Sequence, residues 1–386
     1  MGPDYYRNIP LLYIYSILIK RVSMPVIVLY FLLNNLNFTQ IGMLAAVMSV
    51  TTLATEIHGG IFTDLHGKKI SLAITSLLGT LTMLLYYIGN SFEYFLIASL
   101  LYGLSGAFIS GTRNALLYDT LLKLGRVSEF KKFNGRQLLY SHSVNAAILL
   151  MIPLVYVIDP KLPFLIGILF FTGSLITALL FIEPPVKGTG NPSYNRRLKE
   201  SFREISMNGH IFSAILLSTV TAAFVWMGSQ FIQPLLLISG LEVIYFGVMY
   251  ALMRAVMGLG GEFTHRLGGF LRFEHLLLLG LGMILASFLG FSHGFGAIII
   301  LSVLLMKFAE GLNRIALEDR MNRNIRSANR TTVLSISNLS VELFSAVIIL
   351  IFGITADLAG VQGMFSFAIV AFMASLLFLA ILRKRR

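Results

Sequence analysis

The chain has 386 residues, 56% of them hydrophobic and only 12% charged, where a soluble domain carries about 25% charged residues. With a mean hydropathy of +0.80, that composition excludes an ordinary water-soluble enzyme. The absence of Cys removes disulfides, thiolate metal sites, iron–sulfur clusters and cysteine nucleophiles.

A membrane-spanning helix needs about 20 mostly apolar residues. By that measure the first half of the chain holds spans at 9–33, 39–62, 70–89, 92–119, 137–157 and 162–182. The second half holds spans at 210–238, 242–264, 273–292, 294–317, 331–355 and 360–382. The fold class expected is therefore an all-α integral membrane protein of twelve transmembrane helices. The first run is too long for a signal-peptide core and lacks a small-residue cleavage site behind it.

In chain order, the first span carries Lys20 and Arg21 near its middle, and the second carries Glu56 toward its end. The turn that follows reads Gly60-x-x-x-Asp64-x-x-Gly67-Lys68-Lys69. Arg113 and Asp119 close the fourth span, and His142 and Asn145 share a face of the fifth. The long connection 183–209 opens Glu183-Pro184-Pro185 and continues into Tyr194–Met207. There Arg196, Arg197, Lys199 and Arg203 alternate with Leu198, Phe202 and Ile205, a pattern for a basic amphipathic helix on an anionic membrane face. Span seven presents Trp226, Gln230 and Gln233 at i, i+4 and i+7, followed by Pro234. Arg254 lies near the middle of span eight. Span ten carries Lys307, Glu310 and Arg314 on one face, and span eleven carries Glu342. The 30 Phe residues are read as lipid-facing bulk and helix-contact positions.

Basic residues orient the chain, because Lys and Arg accumulate in cytoplasmic loops. With the N-terminus cytoplasmic and twelve spans, 24 of the 30 basic residues fall on the cytoplasmic side, five lie within spans and only Lys161 falls opposite. Both termini are thus expected in the cytoplasm of a multi-pass protein of the cell membrane. The net charge of +12 is then a consequence of topology, and nucleic acid is not an expected partner.

An internal repeat divides the chain. Gly59-Gly60-Ile61-Phe62-Thr63 recurs as Gly260-Gly261-Glu262-Phe263-Thr264, and the segment 111–119 recurs at 311–319, at offsets of 201 and 200 residues. The expected domains are a six-helix half at 1–182, a cytoplasmic linker at 183–209 and a second six-helix half at 210–386.

Over essentially its whole length the chain resembles the major facilitator superfamily. The motif that carries the resemblance is Gly60, Asp64, Gly67, Lys68 and Lys69, with Lys68 where the superfamily usually has Arg. Glu56-Ile57-His58-Gly59-Gly60, Ala115–Asp119 and Arg330–Ser335 resemble a prokaryotic branch of drug and small-molecule exporters. The resemblance implies a secondary transporter working by alternating access. It also implies a cytoplasmic gate of Gly60, Asp64, Gly67, Lys68, Lys69, Arg113 and Asp119 that closes that side. Read on their own physics, Asp64 is placed to cap free helix amides, and Lys68 or Lys69 to pair with Asp119. In the second half His265 replaces Asp64, and Arg266 or Arg272 is placed to pair with Asp319.

Ionisable residues inside a bilayer are costly and mark function. Glu342 and Glu310 are the candidates for proton coupling, Glu342 first because its own span holds no opposite charge. The expected cavity residues are Lys20, Arg21, Trp226, Gln230, Gln233, Arg254 and Lys307. The competing reading pairs Glu310 with Lys307 or Arg314, and Glu342 with Arg254, as structural bridges, with Asn338 placed to hydrogen-bond Glu342. No phosphate-cradling loop, metal cluster or catalytic triad is expected, hence no enzyme, cofactor or metal. The function expected is proton-coupled export of a small organic molecule by a monomer, its partners being substrate, protons and lipid. Organic-anion uptake or exchange, and a non-transporting sensor or scaffold, are the alternatives.

Overall fold

Within a bilayer a backbone must satisfy its own hydrogen bonds, and for runs of this length and apolarity the helix is the solution. The computed structural model describes residues 4–185, 194–267, 270–325 and 330–384, and among them all regular structure is helical. In chain order the helices are α1 (Asn8–Leu18), α2 (Ile27–Leu33), α3 (Phe38–His66), α4 (Lys68–Ile88), α5 (Phe92–Ile109), α6 (Thr112–Lys123), α7 (Phe130–Ile158) and α8 (Leu162–Leu179). They continue with α9 (Tyr194–Met207), α10 (Gly209–Gln230), α11 (Ile232–Ile238), α12 (Phe246–Leu267), α13 (Phe273–His293), α14 (Ala297–Asn324) and α15 (Arg330–Lys384).

Among the described residues, 9 helices are long and apolar enough to cross a membrane. The difference from the expected spans has three physical causes. The first span is broken into α1 and α2, each too short to qualify alone. The tenth span, α14, carries Lys307, Glu310 and Arg314. Spans eleven and twelve run together as α15, which turns at Gly360, whose φ of 72° is open to glycine.

By its contacts the chain forms two compact units, residues 1–36 with 47–189, and residues 37–46 with 190–386. The expected division placed 37–46 in the first half. Those residues open α3 and join the second unit because glycines admit close backbone contact there: a Cβ on Gly353 would stand 2.7 Å from the Phe38 carbonyl oxygen, and one on Gly42 2.8 Å from that of Ile349.

The repeat seen in the sequence is a repeat of packing. In the first unit a Cβ on Gly59 would come within 2.6 Å of the Ala107 carbonyl oxygen, joining α3 to α5. In the second unit Gly260 meets the Phe308 carbonyl oxygen in the same way, joining α12 to α14 at the same 201-residue offset. The aromatic cores repeat as well. Tyr30, Tyr86 and Phe164 cluster in the first unit, with Tyr86 and Phe164 centroids 5.5 Å apart. Phe231, Phe288 and Phe365 cluster in the second, Phe288 and Phe365 also 5.5 Å apart. Many of the largest fully buried side chains are Phe, so much of that residue type builds the cores and is not lipid-facing bulk.

In the linker, the described part of α9 is amphipathic. Ile205 is buried with Ile211, Ile215, Met321 and Val333, while Phe202 and Met207 are exposed. The side chains of Arg196, Arg197, Leu198 and Lys199, and the whole of Lys187, lie outside the described residues.

Candidate functional site

Three groups of side chains gather the residues singled out by the sequence. The first is the turn between α3 and α4. The chain reverses in one residue, Gly67, at φ +95°, a conformation L side chains rarely adopt. The amides that begin α4 need acceptors. Glu183, just past α8, supplies both: Oε1 accepts from Lys68 N at 2.9 Å and Oε2 from Lys69 N at 2.7 Å. Asp64 was the expected cap, but it sits in the last turn of α3 with its side chain exposed. The Lys68 ammonium lies 2.7 Å from Asp119 Oδ2, with both side chains largely buried, so the pairing expected from the motif is present. Gly60 has open space where a Cβ would stand, whereas its neighbour Gly59 makes the close helix contact.

The corresponding region of the second unit is built differently. Arg266 pairs with Glu262 at 3.1 Å and Asp319 with Arg323 at 2.8 Å, each within its own helix. The expected pairing of Arg266 or Arg272 with Asp319 is not among the ion pairs of the described residues. A partner four residues along the same helix costs less chain ordering than one on another element. Arg320 meets the His210 ring at 3.0 Å and stacks on Phe273.

The second group lies in the break of the first span. Helix α1 ends at Leu18 and α2 begins at Ile27, so Lys20 and Arg21 stand on non-helical backbone. Pro25 has no amide to donate to the Arg21 carbonyl, and Val26 takes φ −131°, outside the helical range. Pro25 is the sequence signal for this break, masked by the apolar run 9–33 around it. The Arg21 guanidinium reaches Met48 Sδ at 3.6 Å and the Tyr86 hydroxyl at 3.4 Å, and stands over the Tyr102 ring at 4.8 Å. Its Nε is buried without a partner. Arg113, just after the break between α5 and α6, also has a buried Nε without a partner. Glu56 accepts from the Ser110 hydroxyl at 3.2 Å.

The third group is in the second unit. Lys307, buried on α14, donates to Glu310 Oε2 at 2.7 Å and to Ser229 Oγ on α10 at 2.6 Å. Arg314 turns away from Glu310 to Glu318, at 3.8 Å. Ser229 could not be anticipated, since it stands 78 residues from Lys307. The stripe Trp226, Gln230 and Gln233 is divided, because α10 ends at Gln230 and α11 restarts at Ile232. Trp226 and Gln230 are half-buried, while Gln233 is buried and donates to the Tyr250 hydroxyl at 3.2 Å. Arg254 and Glu342 are both exposed, and no ion pair joins them among the described residues. Asn338 is exposed too, and no hydrogen bond from it to Glu342 is present among those residues. No cluster of metal-ligating side chains occurs among the described residues.

A membrane fold of two repeated helical units with charges held inside its spans defines a polytopic carrier, and comparison with known proteins agrees. The model of the Major Facilitator Superfamily matches residues 11–339. The chain belongs to that superfamily of multi-pass membrane transporters. It is 25% identical over 238 residues to an uncharacterized MFS-type transporter, YxaM, of Bacillus subtilis (strain 168), a match covering 59% of this chain and 58% of that one. In fold it is similar to the nucleoside transporter NupG, with a TM-score of 0.78 at 14% identity over 99% of both chains. It is also similar to a bacterial homolog of the human lysosomal transporter Spinster in an inward-facing, unoccupied conformation. There the TM-score is 0.72 at 14% identity, over 99% of this chain and 96% of that one.

Proposed function

We propose that this chain is a proton-coupled secondary transporter that exports a small organic molecule by alternating access. It works as a monomer in the cell membrane, with both termini in the cytoplasm. The observation that carries the reading is the break at 19–26 in the first span, which interrupts the helical hydrogen-bond ladder and places two half-buried basic side chains on irregular backbone at mid-span. Irregular backbone at that depth is tolerated where it lines a cavity, and broken helices form the binding sites of many carriers.

Proton coupling is assigned to Glu342, with Glu310 in reserve. Glu310 is held by Lys307, so protonating it would strand a buried ammonium. Glu342 is exposed on α15 and has no ion pair among the described residues, so it can exchange a proton without breaking a bridge.

The test is flux in proteoliposomes under an imposed pH gradient, over a panel of small labelled compounds. Glu342→Gln is expected to abolish gradient-driven accumulation while leaving substrate exchange intact. If Glu342→Gln retains gradient-driven flux and Glu310→Gln loses it, the coupling role passes to Glu310. If no gradient drives the native protein, proton coupling is wrong. If no compound moves at all, transport of this class of molecule is wrong.

A further inference from the structure

We infer that the Arg21 guanidinium binds an oxyanion, the carboxylate or phosphate of a small organic substrate. The inference rests on the reading of the chain as a carrier of small organic molecules and adds the charge of what it carries.

The argument begins with what Arg21 lacks. A guanidinium has five N–H donors and stays charged in a protein. Here its two polar contacts are long and weak, to a thioether at 3.6 Å and a phenol at 3.4 Å. The Nε–H is buried with no acceptor. Two aromatic rings, Tyr102 at 4.8 Å and Tyr86 at 5.9 Å, attract the cation. Two such contacts offset only part of the cost of removing a cation from water.

Among the described residues no carboxylate of the first unit pairs with Arg21, and Asp4, Asp64, Glu93 and Asp159 are exposed. Asp119 is taken by Lys68, Glu129 by Arg126 and Lys132, Glu183 by the α4 amides, and Glu56 by Ser110. Arg21 has no ion pair among the described residues. The residue is half-buried and not sealed, and it sits on broken backbone that no helical register immobilises. A cation kept in that state is matched by an anion arriving from outside the protein. A planar carboxylate or phosphate accepts from Nε and Nη together, as a fork.

Binding is measured as the thermal-stability shift of the purified full-length protein, with no ion gradient. Probes are benzoate and phenyl phosphate against uncharged benzamide, and dispersed phosphatidylglycerol against phosphatidylcholine. The native protein is expected to bind benzoate or phenyl phosphate more tightly than benzamide. Arg21→Gln should weaken anion binding by roughly tenfold to a hundredfold, the range for a lost charged hydrogen bond, and leave benzamide unchanged. Should Arg21→Gln not elute as a folded species, Arg21→Lys decides. That variant keeps the charge and loses the fork, so weaker anion binding supports the inference and unchanged binding overturns it. Equal affinity for benzoate, phenyl phosphate and benzamide in the native protein overturns it, as does an anion preference that survives in Arg21→Gln. A preference confined to phosphatidylglycerol makes the site a lipid contact and overturns the substrate role. Because no gradient enters, loss of proton coupling and loss of the anion site are separate results.

Discussion

Glu183 holds the backbone amide of Lys69 at 2.7 Å while its other oxygen holds that of Lys68. One carboxylate from the end of α8 thus satisfies two of the free donors that begin α4. Charged acceptors at a helix start contribute about 0.5–2 kcal/mol. Glu183→Ala should lower the thermal midpoint of the purified protein, and Glu183→Gln, which keeps one acceptor, should lower it less. Equal midpoints for all three proteins would remove the cap from any account of stability. Gly67→Ala is expected to act in the same direction, since its Cβ would stand 3.0 Å from the Glu183 carboxyl carbon at a φ of +95°.

The contact of Lys68 with Asp119 is a partly buried ion pair on two helices. Asp119→Asn leaves Lys68 without a counter-charge, at a cost of about 1–3 kcal/mol. The variant is expected to lose transport in proteoliposomes more than it loses expression, and Asp119→Glu should recover part of it. Asp64→Asn makes a sharper comparison, because the exposed Asp64 has no hydrogen bond or ion pair among the described residues. It should leave the thermal midpoint unchanged while reducing flux. A flux equal to native would sink the gate role implied by the motif.

Helices α12 and α14 touch through backbone at Gly260 and Gly311. A Cβ on Gly260 overlaps the Phe308 carbonyl oxygen, and one on Gly311 overlaps that of Met257. Gly261, next in sequence, has its nearest neighbour 3.4 Å away, an ordinary contact. Gly260→Ala and Gly311→Ala should each destabilise by about 1–3 kcal/mol through overpacking. Gly261→Ala should be near neutral. Thermal midpoints of the three variants check the contrast, and equal losses would refute it.

Asp357 accepts from the amides of Phe38 and Thr39, each at 2.8 Å, and from the Thr39 hydroxyl at 2.5 Å. It caps α3 from α15, across 318 residues of chain. Asp357→Ala should lose about 0.5–2 kcal/mol, and Asp357→Asn less. Hydrogen exchange at Phe38 and Thr39 should accelerate in Asp357→Ala. Unchanged exchange would show that the cap does not hold the helix start.

The sequence by itself determined the membrane class, the spans and the repeat. Hydropathy belongs to each residue and its few neighbours, so a bilayer-length apolar run announces itself without knowledge of the fold. The repeat was legible for a similar reason: Gly59 and Gly260 occupy the same local pattern, and both prove to press on a carbonyl of a neighbouring helix. Two ion pairs were readable on the same grounds, Lys307 with Glu310 by helical spacing and Lys68 with Asp119 by motif. Tertiary structure decided the rest, because a charge is satisfied by whatever the fold brings beside it. Glu183 takes the amides that Asp64 was expected to take, from 115 residues away. Ser229 joins Lys307 across 78 residues. Among the described residues Arg21 finds only rings, a phenol and a thioether, because α3, α4 and α5 converge on a backbone break that its own span, read as one continuous helix, concealed.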